Sequence, residues 1–341
     1  MTSLIVVHAD FEAHWPLVAD HFQNVWQAQD ETALIRLPRG DNRPLGEVVP
    51  QPQTISRLAV LGVPVTVTCL QPWSALQEAT FPALYGASKL SSSVIEMLTQ
   101  RGVQIYDHRS EGFWGQSVSE FALALTLCAL RQIPQNYHAM LTAHEAWQRY
   151  APALNQGPNT LGAQFSDNLR FTNGTIAGKR VRIVGAGNIG SRYASFVHLL
   201  GADVATWDPY AAEPNFHRAG ARRVWHLEEL VEDAEIFAPM LPLKEDTRGV
   251  VTAAHIDALP QGCLVVLATR AMICDMPTLR RRVLADELAL AADVFDVEPL
   301  PLDDPLLGRH NVVHTPHLAG RTRDSNHQWA EALTTQFRPI S

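Results

Sequence analysis

The segment Gly185-Ala186-Gly187-Asn188-Ile189-Gly190 follows 181–184, which reads as a strand, and opens a stretch of helical character reaching about Gly201. A Gly-x-Gly-x-x-Gly pattern says little alone, but a strand before it and a helix after it make it a dinucleotide-binding turn. There Gly185 permits the tight bend, Gly187 lets a pyrophosphate approach the backbone, and Gly190 lets the helix pack closely on the strand. The amides at the helix N-terminus then face phosphate oxygens. The next apolar run, 204–207, ends at Asp208, eighteen residues beyond Gly190, where a carboxylate accepts hydrogen bonds from an adenosine ribose. A carboxylate there repels a 2′-phosphate and no Arg follows at once, so the pattern favours NAD over NADP. The competing reading is a structural glycine turn with a strand-end Asp that caps something nearby.

Four further runs, 236–240, 264–268, 290–293 and 312–315, are near-continuously apolar and alternate with helical segments. Such strands indicate a parallel sheet covered on both faces. Upstream, residues 4–7, 58–61, 65–69 and 103–106 read as strands, with a helix over 94–101, so this region is α/β as well. The Pro-, Gly-, Asn- and Asp-rich stretch 38–52 reads as an exposed loop. Residues 119–131 form a buried helix stopped by Pro134, which marks the start of a second domain. The Pro- and Gly-interrupted stretch 151–173 is an extended excursion that either wraps a neighbouring subunit or runs as a long surface loop.

Composition removes other classes. A chain of 341 residues has room for two domains, and 46% apolar with 18% charged residues speaks against disorder. The net charge of -8 gives no electrostatic reason to bind nucleic acid or an anionic membrane. Cys69, Cys128, Cys263 and Cys274 are widely spaced, so they read as reduced, mostly buried thiols and neither a metal site nor a disulfide framework. The N-terminus lacks a basic leader and reads as a first strand. The longest clean apolar run, 121–130, is ten residues, well below the ~18 that suggest a membrane span. A soluble, cytoplasmic protein is the expectation.

Three segments carry candidate chemistry: Leu267-Ala268-Thr269-Arg270 at a strand end, Ala292-Asp293-Val294-Phe295 through Glu298-Pro299, and His314-Thr315-Pro316-His317-Leu318. A nicotinamide enzyme acting on a 2-hydroxy acid needs a cation for the carboxylate, an acid/base for the oxygen and a group tuning that base. With the glycine turn, Ser119-Glu120-Phe121, Arg131-Gln132-Ile133-Pro134, Pro242-Leu243 and Thr247-Arg248-Gly249, these segments resemble the D-isomer-specific 2-hydroxyacid dehydrogenase family. That family includes D-lactate, D-glycerate and D-3-phosphoglycerate dehydrogenases. The resemblance runs from about Ser117 to Gly320, and the first ~115 residues match only loosely.

The resemblance implies an α/β fold of two Rossmann-like domains with doubly wound parallel sheets, a nucleotide domain inserted into a flavodoxin-like substrate domain. Residues 1–115, completed by 318–341, would form the substrate domain and 116–317 the NAD-binding domain. It implies that Arg270 binds the substrate carboxylate and that His317 is general acid in reduction and base in oxidation. Glu298 would hydrogen-bond His317, fix its tautomer and favour the protonated imidazole. Asp293 would hold the nicotinamide carboxamide, Asn188 and Ile189 would lie on the pyrophosphate, and backbone at Leu241 and Ala268 would line the cofactor. A homodimer built through the nucleotide domain is implied too. His310 and His314 carry no motif support and read as structural or exposed.

Some residues depart from the family's pattern. Leu267 stands where the family usually has Asn and Ala271 where it usually has Gly, which alters hydrogen bonding and adds a methyl without removing a reacting group. The glycine-rich substrate loop corresponds to Tyr85-Gly86-Ala87-Ser88-Lys89-Leu90-Ser91. There Ser88 and Lys89 are candidate substrate contacts, Lys89 being either a second anion anchor or a solvent-exposed side chain. Phe113 and Trp114 form either an apolar lip over the substrate or ordinary packing. Arg321 and Arg323 either reach the ligands or simply open a helix. The alternatives to a 2-hydroxyacid dehydrogenase are an NAD(H)-binding, corepressor-like regulator of the same fold and a dehydrogenase of another small anion. Formate enzymes of this fold carry Gln in place of the Glu, so Glu298 argues against formate.

Overall fold

Apolar residues at successive positions of short strands need cover on both sheet faces, and in this chain two separate sheets meet that need. The computed structural model describes residues 2–49, 51–82, 90–107, 114–143, 170–335 and 338–339. Two compact units divide the chain: Met1–Phe113 with Arg321–Ser341, and Trp114–Gly320.

The first unit runs β1 (Thr2–His8), α1 (Ala9–His14), α2 (Val18–Gln27), β2 (Glu31–Leu37), α3 (Leu45–Val48), β3 (Arg57–Leu61), α4 (Val67–Leu70), β4 (Glu78–Thr80), α5 (Ser92–Gln100) and β5 (Gln104–Asp107). In the second come α6 (Gly115–Arg131), α7 (Ile133–Thr142), β6 (Arg180–Val184), α8 (Asn188–Leu199), β7 (Asp203–Trp207), α9 (Glu213–Ala219), β8 (Arg222–Val224) and α10 (Leu227–Val231). It continues with β9 (Ile236–Pro239), α11 (Ala253–Ala258), β10 (Leu264–Leu267), α12 (Met276–Leu284), β11 (Ala289–Ala292) and β12 (Val312–His314). α13 (Arg323–Thr335) and β13 (Arg338–Pro339) belong again to the first unit.

The first sheet has the order β13-β5-β4-β3-β1-β2, parallel except for β13. On one side of it Phe11 and Trp15 of the β1–α2 segment pack on Trp329 of α13, with ring centroids 5.5 and 4.5 Å away. Two sequence expectations fail in this unit. Residues 65–69 are no strand: Thr66 caps a helical turn, its hydroxyl accepting from the Cys69 N–H at 3.3 Å, and α4 follows. The stretch 38–52 is not wholly an exposed loop, because α3 lies in it and Leu45 is completely buried.

The second sheet is parallel throughout, in the order β12-β11-β10-β9-β6-β7-β8. Its side chains sort by alternation. Val184, Ala205, Phe237, Val265, Leu267, Leu290 and Ala292 enter one core. Val181, Ile183, Val204, Ile236, Val266, Ala268 and Ala291 enter the other. α6 closes the second core along one face, and its Thr126 hydroxyl lies 2.8 Å from the buried Tyr193 hydroxyl of α8. Burial pushes the Tyr193 phenol up, against the Thr126 hydrogen bond. Chain order reverses between β6 and β9, the switch point at which open α/β sheets bind ligands beyond the carboxyl ends of their strands.

Toward the amino ends of β6 and β7 a buried arginine meets two half-exposed carboxylates. Arg182 on β6, 2% exposed, donates to Asp233 at 2.7 and 2.6 Å and to Asp203 at 3.0 Å. Burial opposes its charge, and the two carboxylates outweigh that and move its pKa up. Of the stretch 151–173 only 170–173 are described, where Phe171 is buried and Arg170 is exposed. Among the described residues no helix is long and apolar enough to cross a membrane. Cys69, Cys263 and Cys274 are buried, Cys128 is half-buried, and all four are free thiols.

Candidate active site

At the carboxyl edge of the second sheet, β6, β7, β10, β11 and β12 each lead to a polar or turn residue singled out by the sequence. After β6, Gly185 has φ +105°, and a Cβ there would lie 2.8 Å from the Leu241 side chain. A Cβ on Gly190 would sit 2.0 Å from the Gly185 carbonyl oxygen, so only glycine lets α8 start this close to β6. A Cβ on Gly187 would meet nothing within 4 Å. This glycine precedes α8, whose first turn has no side-chain cap, with Asn188 and Ile189 as its first two residues. An open approach to uncapped helix amides suits a pyrophosphate.

Asp208, after β7, is buried. Its Oδ2 accepts from Ala186 N at 2.8 Å, inside the glycine turn, and its Oδ1 accepts from Tyr210 N at 2.9 Å and Ala211 N at 3.0 Å. It therefore does cap the turn, and of four carboxylate acceptor positions one remains for a ribose hydroxyl. These residues together fit a dinucleotide.

Arg270 follows β10, β11 leads to Asp293, and β12 leads to His317. Neighbouring strands lie ~4.8 Å apart, so the β10 and β12 ends stand about 10 Å from each other, with β11 between. The Arg270 Nη1 donates to Thr269 O at 2.6 Å. Ala271 begins a single 3-10 turn, Ala271–Ile273, and is buried there without a left-handed backbone, so the family's glycine is not needed at this place. Leu267 is completely buried in the core.

His317 Nδ1 lies 2.7 Å from Glu298 Oε2, and Glu298 Oε1 accepts from Phe295 N at 2.8 Å. A His whose Nδ1 is held by a carboxylate presents Nε2 to its surroundings, and this side chain is 42% exposed. Asp293 is completely buried and accepts from Thr315 Oγ1, Leu318 N and Ala319 N at 2.7 to 2.9 Å. Three of its acceptor positions are thus spent within the protein.

Two contributors escaped sequence reasoning. Ser119, buried on α6, has its hydroxyl 2.5 Å from Gly115 O and 3.0 Å from Ile189 O, its single proton shared between that helix and the glycine turn. Arg192, one turn into α8, donates to Asn188 O at 2.9 Å and adds positive charge at the turn. His310 pairs with Asp286 at 3.1 Å, His314 is exposed, and Arg321 and Arg323 are exposed. Trp114 packs partly buried against the core. Ser88, Lys89 and Phe113 lie outside the described residues. Among the described residues no group of three His, Cys, Asp or Glu could hold a metal ion.

A family model described as the NAD binding domain of D-isomer specific 2-hydroxyacid dehydrogenase matches residues 123–319. D-3-phosphoglycerate dehydrogenase of Archaeoglobus fulgidus is 28% identical over 232 residues, which are 68% of this chain and 40% of that protein. Glyoxylate reductase of Korarchaeum cryptofilum is 26% identical over 242 residues, 70% of this chain and 66% of that protein. The chain spans less than half the length of the D-3-phosphoglycerate dehydrogenases it matches. Among the solved structures that share its fold, two serve as examples. D-2-hydroxyisocaproate dehydrogenase covers 98% of this chain, with 95% of its own, at a TM-score of 0.69 and 16% identity. D-mandelate dehydrogenase of Rhodotorula graminis covers 98%, with 92% of its own, at 0.68 and 19%.

Proposed function

Because the chain belongs to the D-isomer specific 2-hydroxyacid dehydrogenase family, we propose that it is an NAD-dependent oxidoreductase interconverting a D-2-hydroxy acid and its 2-oxo acid. The observation that carries this reading is the 2.7 Å contact between Glu298 and His317 Nδ1 at the carboxyl edge of a dinucleotide-type sheet. Bound over the glycine turn, the nicotinamide cofactor supplies or takes up the hydride. Gly187 admits the pyrophosphate, the first amides of α8 hold it, and Asp208 takes a ribose hydroxyl, which favours NAD over NADP.

On the substrate side, Arg270 pairs with the carboxylate and polarises the neighbouring carbonyl. His317 Nε2 donates a proton to the carbonyl oxygen in reduction and removes it in oxidation. Glu298 holds Nδ1, so the ring keeps one tautomer and one orientation throughout. A second copy of the chain packs on α7. No side chain of this helix is buried, and Ile133, Tyr137, Met140 and Leu141, at 50 to 67% exposure, form one apolar stripe at helical spacing.

The test is NADH consumption across glyoxylate, hydroxypyruvate, pyruvate, phenylpyruvate and a phosphorylated 2-oxo acid. Turnover of at least one acid is expected, and His317→Asn lowers it roughly 100- to 10,000-fold. NADH binding without turnover of any of them contradicts the reading.

A further inference from the structure

We infer that Asp293 is a positioning residue for His317, its carboxylate holding the loop that carries the imidazole. The inference rests on the acid/base reading of His317. Asp293 is completely buried after β11, and its own N–H donates to Leu267 O of the neighbouring strand at 2.8 Å. The carboxylate is thereby anchored to the sheet. Its Oδ1 accepts from the Thr315 hydroxyl at 2.7 Å and from Leu318 N at 2.9 Å, and its Oδ2 accepts from Ala319 N at 2.9 Å. These donors stand two residues before His317 and one and two residues after it.

The conformation at His317 explains why a carboxylate is used. His317 has φ +55°, in the left-handed region that residues with a side chain disfavour. A left-handed residue turns the N–H groups that follow it toward a common point, forming a nest for an anion. Asp293 is the anion in this nest, and it stabilises the turn from which the imidazole projects. Glu298, the other half of the pair, is anchored by the Phe295 N–H, two residues beyond Asp293. Both halves of the His317–Glu298 contact therefore hang from the segment that begins at Asp293. With three of four acceptor positions spent on the loop, a cofactor carboxamide can reach only one.

Asp293→Asn keeps the shape but turns an amide NH2 toward one of these donors. A shift of about 1 Å in the ring costs on the order of 100-fold in rate. Steady-state kinetics is measured with NADH and with reduced 3-acetylpyridine adenine dinucleotide, which lacks the amide nitrogen, and NADH affinity by fluorescence. The expected result for Asp293→Asn is a kcat loss on the order of 100-fold with either cofactor and an unchanged NADH Kd. Thr315→Val shows part of this loss and Thr315→Ser restores it, so the Thr315 pair decides the matter if Asp293→Asn does not fold.

A loss confined to NADH, a weakened NADH Kd with kcat intact, or no loss at all overturns the inference. If the wild-type protein reduces no 2-oxo acid, the functional reading has failed, and the 13Cε1–1H resonance of His317, assigned with His317→Asn, decides the structural part. Displacement of that resonance in Asp293→Asn supports the role of Asp293 in holding the ring, and an unmoved resonance overturns it.

Discussion

Two alanine substitutions three residues apart are expected to damage different properties of the protein. In Gly190→Ala the new Cβ would lie 2.0 Å from the Gly185 carbonyl oxygen and 3.0 Å from its carbon. Ordinary contact begins near 3.4 Å, so the first turn of α8 must retreat from β6 by about 1.4 Å. Both clashing groups are backbone, which puts the cost at the upper end of overpacking, about 3 kcal/mol. For a unit of this size that corresponds to a Tm lower by roughly 6–12 °C. Gly187 has φ -74° and open space around its Cβ position. Gly187→Ala therefore leaves Tm unchanged or raises it slightly, by up to about 1 kcal/mol through the unfolded chain. Its methyl nevertheless occupies the approach to the α8 amides, and NADH affinity falls by on the order of 100-fold. Thermal melts and NADH titration of both variants make the comparison. Equal loss of Tm in the two, or wild-type NADH affinity in Gly187→Ala, refutes this account of the turn.

Other expectations concern the ion cluster, the cofactor preference and α7. The Arg182 guanidinium beside Asp233 holds that carboxyl below its ordinary range, so its stabilising effect is present above the unfolded pKa of ~3.9 and is lost as pH falls through the lower folded value. Asp233→Asn is thus expected to lose about 1–2 kcal/mol at pH 7 and to close the gap to wild type in urea melts well below pH 4; a gap independent of pH contradicts this. Asp208→Asn removes the charge facing a 2′-phosphate and should narrow the preference for NADH over NADPH by roughly tenfold in kcat/KM, whereas an unchanged ratio places the preference elsewhere. Light scattering should find twice 37.7 kDa for the wild-type protein and a monomer for Tyr137→Glu/Met140→Glu, and a wild-type monomer removes α7 as an interface.

Much of the second unit was legible because parallel, doubly covered strands leave near-continuous apolar runs, as at 264–267. The edge strands β2 and β8 leave no such trace. β8 begins with Arg222 and Arg223, and β2 alternates exposed and half-buried residues, so neither stood out. Residues 65–69 have strand-like composition, yet one hydroxyl, Thr66, diverts them into a helical turn. In the site, the glycine turn follows from a local motif and the Glu298–His317 contact from the family resemblance. Ser119 reaches Ile189 across 70 positions, and Ser117 donates to Ala319 O across 202, pairings that no local pattern encodes. The Leu318 and Ala319 donors on Asp293 were equally hidden, since they depend on a left-handed backbone at His317.

The central claim is that His317 and Glu298 act as one acid/base unit, and a double-mutant cycle on kcat/KM for NADH-dependent reduction of the preferred 2-oxo acid tests it most directly. If the two residues form one device, His317→Asn with Glu298→Gln loses no more than His317→Asn alone, as groups acting together are strongly non-additive. Losses that multiply, each variant contributing its own factor in the double mutant, would contradict the account.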